Sequence, residues 1–236
     1  MNLPTIEYPT FELTIPSTKE VIRYRPFLVK EEKILLVAQQ SENINDVMFA
    51  IKQIITNCVL TSGFNIDKLM VFDIEYIFLK LRANSVNNKI SLTYRDGEDG
   101  KNYTLTLDLN EVEVNFRPDH SNKIKINEKT TLIMKYPGLT VSERVLSATT
   151  PDQAFMEMMK ACLDKLMVGE DLYYFKDEKR EEVDKFVDGL PIPVFESIKT
   201  FFETMPKLRH VMKYINTLGH EQEIVLETLN DFFTLR

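Results

Sequence analysis

Apolar residues follow two different spacings along the 236-residue chain, and these spacings predict its helices and strands. One early stretch has apolar residues at three- and four-residue steps, which predicts an amphipathic helix with a single apolar stripe. These residues are Val47, Ile51, Ile54, Ile55 and Cys58. A helix from about Lys30 to Gln40 is predicted before it. A third helix, roughly Phe72 to Ala83, is apolar nearly all round, so we expect it to be the most buried element of the first half.

After these helices the spacing changes to strict alternation of apolar and polar residues. Apolar side chains alternate with polar ones from Ile90 to Tyr94 and again from Tyr103 to Leu109, and the alternation continues to Phe116. Asp96-Gly-Glu-Asp-Gly100 lies between the first two runs and is rich in turn-forming residues. The pattern therefore predicts a β-hairpin with a solvated turn.

The second half of the chain repeats this order of elements. Its predicted elements are short strands at Ile124–Ile126 and Thr131–Lys135, a helix from Pro151, a loop from Gly169 to Arg180, a short helix from Glu181 to Leu190, a helix introduced by Pro193, and a hairpin formed by Leu208–Ile215 and Glu223–Leu226. The segment Lys135-Tyr-Pro-Gly-Leu-Thr-Val-Ser-Glu-Arg-Val-Leu146 also echoes Arg23-Tyr-Arg-Pro-Phe-Leu at the start of the first half. Chance recurrence of helices followed by a hairpin is the alternative explanation, and it stays open.

These patterns predict an α+β fold of two similar halves, each a few helices followed by an antiparallel β-hairpin. The halves are assigned to residues 21–118 and 119–236. Residues 1–20 form a predicted extended N-terminal arm, because prolines interrupt a short alternating run and remove backbone donors. Such an arm lies on its own domain or reaches a neighbour.

Composition and charge restrict the class of protein. The chain has 44% hydrophobic and 28% charged residues, which are ordinary globular values. Its net charge is −7 and neither half is basic, so nucleic acid is not expected as a main partner. We expect no secretory signal at Met1-Asn-Leu-Pro4 and no membrane span. Cys58 and Cys162 are expected to be packed as small apolar groups in a reducing cytoplasm.

The residues that usually carry chemistry are few. His120, His210 and His220 are the histidines of the chain, and none lies beside a serine or cysteine in a nucleophile setting. His210 and His220 flank the last hairpin turn, where we expect them to pair across the strands rather than to bind a metal. We therefore predict no catalytic, metal-binding or cofactor-binding residues and no enzymatic activity. The run Tyr173-Tyr-Phe175 is either core or, if exposed, a patch for a protein partner.

Several blocks of the chain carry a family resemblance. They are Tyr8-Pro-Thr-Phe-Glu-Leu-Thr-Ile-Pro-Ser-Thr18, Arg25-Pro-Phe-Leu-Val-Lys-Glu-Glu-Lys-Ile-Leu-Leu36, Phe78-Leu-Lys-Leu-Arg82, Met134-Lys-Tyr-Pro137 and Phe202-Glu-Thr-Met-Pro-Lys-Leu-Arg-His210. In these blocks the chain resembles the baseplate hub assembly proteins of T4-like contractile-tailed bacteriophages. Some relatives are expected to carry cysteine pairs at their hairpin turns. The turns at 96–100 and 216–220 contain none here, so a zinc-binding role does not carry over.

The resemblance implies a non-enzymatic assembly factor that binds hub or tape-measure proteins during tail assembly, with no cofactor and no nucleic-acid or membrane partner. The alternative is a stoichiometric structural component of the hub. The expected location is the host cytoplasm during infection or the virion baseplate. The oligomeric state stays open.

Two of these blocks are long and specific: residues 25–36, which we call the first block, and residues 202–210, which we call the second block. Within them we predict a division of roles. Arg25, Pro26, Phe27 and Leu28 of the first block, and Met205, Pro206 and Leu208 of the second, are expected to be structural. The charged residues Lys30, Glu31, Lys207 and Arg209 are expected to be exposed and are the candidates for contact with a partner.

Overall fold

The computed structural model describes residues 7–40, 44–139, 141, 145 and 148–232. Residues 1–6 of the predicted arm, and residues 140, 142–144 and 146 of the segment that echoes residues 23–28, lie outside the described residues. Across the described ranges, seven α-helices and eleven strands form an α+β fold, so the predicted fold class is confirmed.

The helices are α1 (Val29–Gln39), α2 (Ile44–Cys58), α3 (Val71–Ser85), α4 (Pro151–Cys162), α5 (Arg180–Asp188), α6 (Ile192–Thr204) and α7 (Leu229–Phe232). The strands are β1 (Phe11–Thr14), β2 (Val21–Tyr24), β3 (Lys89–Arg95), β4 (Asn102–Asp108), β5 (Glu113–Asn115), β6 (Lys123–Lys125), β7 (Thr130–Met134), β8 (Leu163–Val168), β9 (Asp171–Tyr174), β10 (Lys207–Ile215) and β11 (Glu221–Leu226). Short 3₁₀ helices cover Ile66–Lys68, Leu109–Glu111 and Phe175–Asp177.

The strands pair in four small antiparallel sheets. β1 pairs with β2 and β3 pairs with β4, while β5, β10 and β11 form a three-stranded sheet with β10 in the centre. The fourth sheet has the order β6-β7-β8-β9. Within the described residues, no helix is both long enough and apolar enough to cross a membrane.

The chain forms two compact units. Unit one lies within Met1–Asn115 and Lys207–Arg236, and unit two lies within Phe116–Pro206. The chain passes from unit one to unit two between residues 115 and 116, and the predicted boundary is at residue 118. The predicted second half, 119–236, is shared between the units, because its last hairpin, β10–β11, belongs to unit one. The internal duplication itself stays a prediction.

Helix α3 is the centre of unit one. Ten of its fifteen residues are buried, which confirms the expectation that this helix is the most enclosed element of the first half. Its Tyr76, Leu79 and Ala83 pack in one apolar cluster with residues of the β3–β4 and β10–β11 hairpins. The other buried members of this cluster are Leu107, Leu109, Val112, Leu208, Met212, Leu226 and Phe232. The hairpin at the end of the chain therefore completes a core that begins near its middle.

The predicted apolar stripe of α2 is confirmed, since Ile51, Ile54, Ile55 and Cys58 are all buried. The N-terminal segment is tied to the same unit. Residues 11–14 pair with 21–24 as a hairpin, and in its turn Ser17 donates both its backbone N–H and its hydroxyl to the Asp73 carboxylate, at 2.9 and 2.5 Å. Burial raises the pKa of Asp73, although these hydrogen bonds oppose the rise.

Unit two packs helices α4, α5 and α6 against one face of its sheet. The buried core includes Leu132 of β7, Met159 of α4 and Ile198 of α6. Helix α4 begins at Pro151, as predicted, and the Thr150 side chain accepts a hydrogen bond from the Gln153 backbone N–H. The predicted short helix of residues 181–190 is confirmed as α5.

The predicted loop from Gly169 to Arg180 is wrong over its first half. Residues 171–174 form strand β9, which pairs with β8, and Gly169 provides the positive φ of 62° that the intervening turn needs. The sequence pattern did not predict the β8–β9 hairpin, because Leu163 and Leu166 continue the helical spacing of α4. The helix in fact ends at Cys162, where the chain becomes extended.

Both cysteines are free and buried, as expected. Burial is the main cause of their raised pKa values, about 11 for Cys58 and about 12 for Cys162. Near neutral pH such thiols are almost entirely protonated, so they act as apolar packing groups.

Candidate functional site

The first sequence block folds around a buried ion pair between Arg25 and Glu31. Arg25 Nη2 lies 3.0 Å from Glu31 Oε1, and Nη1 lies 3.3 Å from Oε2. Glu31 Oε2 also accepts a hydrogen bond from the Leu28 backbone N–H at 2.9 Å, which caps the start of α1. Arg25 donates further to the carbonyls of Pro26 and Asn57, at 2.9 and 3.0 Å. The pair therefore joins the entry of α1 to the end of α2.

The expectation that Glu31 is exposed is wrong, because its side chain is 0% exposed. Burial by itself would raise the pKa of Glu31, but hydrogen bonds from Arg25 and from the Leu28 backbone more than offset it, and the pKa lies below its ordinary value. Lys30 is exposed as predicted, with its Nζ 3.6 Å from Glu31 Oε1. Of the two candidates in this block, Lys30 alone has a side chain available to a partner.

The structural candidates of the first block lie in the same region. Phe27 is buried, its ring centroid is 5.8 Å from that of Phe78, and its backbone N–H donates to Ser85 Oγ at 2.8 Å. Pro26 and Leu28 are half-buried beside it. These contacts attach the entry of α1 to α3.

The second block places its charges on strand β10. Lys207 Nζ lies 2.5 Å from Glu227 Oε2, and Arg209 Nε lies 3.6 Å from Glu227 Oε1. Both cations stay more than a third exposed while they share this one carboxylate. Leu208, between them, is fully buried. Met205 is half-buried and Pro206 is buried, just before the strand.

The strongest polar cluster joins the tips of two hairpins, and the sequence did not predict it. Glu98, in the β3–β4 turn, accepts hydrogen bonds from Asn216 Nδ2 at 2.6 Å and Gln222 Nε2 at 2.7 Å, and lies 2.6 Å from His220 Nδ1. Asp99 Oδ2 accepts from the backbone N–H and the hydroxyl of Thr217, at 3.1 and 2.8 Å. The turn at residues 96–100 is thus a binding element for the last hairpin.

A pair of tyrosines completes this connection. Tyr214 donates its hydroxyl to Asp96 Oδ2 at 2.6 Å, and Tyr103 donates to Asp99 Oδ2 at 2.5 Å. Their ring centroids are 4.6 Å apart. The hydrogen bond from Tyr214 is the main cause of the lowered pKa of Asp96. The folded state therefore favours the ionised carboxylate.

The histidines are distributed over separate sites. His210 is paired with Leu226 across the strands and His220 contacts Glu98, so the expected pairing of these two histidines is wrong. His120 lies in unit two, where its Nδ1 is 2.9 Å from Thr204 Oγ1 and its ring lies beside Tyr136. Among the described residues, no group of three or more His, Cys, Asp or Glu side chains is arranged to hold a metal ion.

Unit two contains a broad cleft of about 860 Å³, and half of the residues that line it are charged. Two ion pairs lie at this cleft, Arg180 with Glu157 at 2.8 Å and Lys160 with Asp184 at 2.5 Å. Its described lining includes no histidine, serine or cysteine that would act as a base or nucleophile. The charges here connect α4 to α5.

The fold and these clusters define an α+β protein whose ionic groups, in the described chain, chiefly hold its own elements together. Over residues 8–234 the chain matches the family described as T4 bacteriophage base plate protein, and it belongs to that family. The resemblance seen in the sequence blocks is thereby confirmed at the level of the family. No curated protein and no solved structure matches the chain.

Replacing Glu31 by alanine should destabilise the protein strongly. Arg25 would keep its buried charge without its partner, a change that costs about 3 kcal/mol or more. Urea unfolding of Glu31→Ala, compared with the wild type, measures this loss. The control is the neighbouring Glu32→Ala, which removes a half-buried carboxylate from the first turn of α1 and should change the free energy of unfolding by about 1 kcal/mol or less. Equal stability of the two variants would contradict the assigned role of Glu31.

The hydrogen bond from Tyr214 to Asp96 should make the free energy of unfolding depend on pH. A lowered pKa of Asp96 stabilises the fold above its ordinary value of about 3.9, and this contribution disappears as pH falls through the folded pKa. Tyr214→Phe removes the hydrogen bond that is the main cause of the lowered pKa of Asp96. The Tm difference between wild type and Tyr214→Phe should therefore narrow as pH is lowered from about 6 to about 2. Tyr94→Phe, at an exposed tyrosine on β3, should show a constant difference. A constant difference for Tyr214→Phe as well would refute the assignment.

Proposed function

We propose that this chain is a non-enzymatic assembly factor for the phage baseplate hub, which binds hub or tape-measure proteins in the host cytoplasm while the tail is built. The family membership supports a role among baseplate proteins. The resemblance of the sequence blocks to hub assembly proteins supports the more specific role.

The observation that carries the proposal is that two charged residues of the first block are buried, while apolar residues of the same block and of α1 are exposed. Its charged residues Arg25 and Glu31 form the buried pair, whereas the apolar Val29 and Val37 on α1 are 74% and 69% exposed. Leu36 on the same helix is also exposed. Apolar side chains concentrated on one exposed helix support a docking surface for another protein.

An assembly factor must release its partner when the hub is complete. A single exposed helix face of this kind is suited to modest affinity, because few large side chains are available for burial. The second candidate function is a stoichiometric component that stays in the baseplate, and the description of the family as a base plate protein favours it.

Peptide mass spectrometry of purified virions separates these two functions. We expect the chain to be abundant in extracts of infected cells, in complexes with hub or tape-measure proteins, and nearly absent from finished particles. A fixed copy number in every particle would establish the structural component instead.

Charge reversal on β10 should weaken partner capture without unfolding the protein. Lys207 and Arg209 are partly exposed, and their ion pairs with Glu227 are of a kind that contributes about 1 kcal/mol or less to stability. Lys207→Glu with Arg209→Glu should reduce capture of the hub partner about tenfold, measured by quantitative co-purification. The matched control is Lys213→Glu on the same strand, where Lys213 pairs with Glu221 and Glu223. If capture survives the double reversal while thermal melting is unchanged, these residues are not contacts.

A further inference from the structure

The sheet of unit two has an outer face opposite its helices. The register of the four strands fixes which residues lie on this face, because residues directly opposite in antiparallel strands point to the same side. Eight positions form two rows across β6, β7, β8 and β9, and we call them the lysine face. They are Lys123, Ile133, Lys165 and Tyr174 in one row, and Lys125, Thr131, Met167 and Leu172 in the other.

The charges on this face have one sign. Three of the eight positions are lysine and none is acidic. In the part of the chain that the structure describes, Lys123 and Lys125 form no ion pair, and Lys165 has only its sequence neighbour Asp164, at 3.5 Å. Lys176, which lines the charged cleft of this unit, also has its Nζ 5.3 Å from the centroid of the Tyr174 ring. Of the acidic side chains near the face, Asp164 lies on β8, and Glu128 and Glu170 lie in the turns at the ends of the strands.

The same face exposes apolar side chains. Met167, Leu172 and Tyr174 are each more than a third exposed, and Ile133 beside them is half-buried. Strand β9 is an edge of the sheet and all four of its residues are exposed. The solvated face of an antiparallel sheet ordinarily carries polar residues. Here the apolar groups lie toward β9 and two of the lysines lie on β6, roughly 14 Å away across the sheet.

We propose that the lysine face docks an acidic amphipathic segment of a partner protein, with apolar side chains of that segment over Met167 and Leu172 and its carboxylates on the lysines. The proposal rests on the proposed function in taking the partner to be a tail protein. Charge complementarity identifies the occupant. A chain of net charge −7 repels acidic molecules at long range, but at physiological ionic strength charges beyond about 8 Å are screened and the local lysines dominate.

A polypeptide fits this face better than a nucleic acid. A phosphate backbone is bound by a continuous track of cations with aromatic rings for the bases. The lysine face has one exposed aromatic ring, Tyr174, and its apolar Met167 and Leu172 have no counterpart on a phosphate backbone. An acidic segment that also carries apolar residues can pair with the lysines and cover the exposed apolar side chains of the face.

The direct test uses designed peptides and the full-length protein. A fluorescent helical peptide of about five turns, with leucine on one side and glutamate on its flanks, is compared with the same peptide carrying lysine for glutamate. We expect the glutamate peptide to bind more tightly by about tenfold or more, and its affinity to fall as salt is added. Equal binding of both peptides, or binding of neither, would overturn the proposal.

Variants locate the binding on the face. Lys125→Glu with Lys165→Glu should weaken binding of the glutamate peptide about tenfold or more, and Met167→Gln with Leu172→Gln should also weaken it. Lys179→Glu with Lys199→Glu, at the N-cap of α5 and on α6 of the same unit, is the control for charge. Val225→Gln, at an exposed apolar position on β11, is the control for apolar loss. Variants of the face that bind as well as their controls would place the binding elsewhere and refute the proposal.

Two further measurements exclude other occupants. Tighter binding of an oligothymidylate than of the glutamate peptide would replace the proposal with a nucleic-acid site. A dimer in sedimentation that the lysine reversals dissociate would assign the face to a second copy of the chain.

In infected cells, failure of any tail protein to co-purify with the wild type would count against the proposed function, while the peptides still decide the nature of the face. Equal co-purification of tail proteins with the wild type and with the Lys125→Glu, Lys165→Glu variant would overturn only the lysine face.

Discussion

A single buried ammonium group sets the path of the chain through unit one. Lys80, on the central helix α3, donates to the carbonyls of Asn110 and Val112 at 2.7 and 2.8 Å and lies 3.2 Å from Glu113 Oε1. Burial lowers the pKa of Lys80 although Glu113 opposes this effect. Because a charged amine cannot be left without partners in a protein interior, residues 109–113 must curve around it. That curve delivers β5 to the position where β10 pairs with it.

The pairing of β5 with β10 explains how the chain can leave unit one and return to it. Asn115 and Lys207 are opposite each other in the sheet, so the 116–206 segment begins and ends at neighbouring strands. The returning hairpin is then held at both ends, by β5 at its base and by the turn of residues 96–100 at its tip. Its apolar side chains complete the core around α3. Interactions between residues more than 90 positions apart thus join the two stretches of chain that form unit one.

The sequence could predict what depends on neighbours along the chain. The stripe of α2 and the alternation of β3 and β4 are local patterns, and the structure reproduces them. It could not predict that Glu31 is buried, because burial of a carboxylate depends on where the Arg25 side chain lies after folding. The association of the two hairpin tips was missed for the same reason. Asp96 and Glu98 are typical residues of a solvated turn, and their partners lie about 120 residues later in the sequence.

The division between buried charge and exposed apolar surface also bears on how such a protein would act. In unit one a fixed network of hydrogen bonds positions α1, so its exposed valines are not needed to hold the helix in place. In unit two the core lies between the helices and one face of the sheet, which leaves the lysine face available. On the proposed function, two separate surfaces of modest affinity have a clear advantage over one strong surface. A partner that occupied both surfaces at once would bind more tightly than through either alone, and loss of either contact would be enough to begin release.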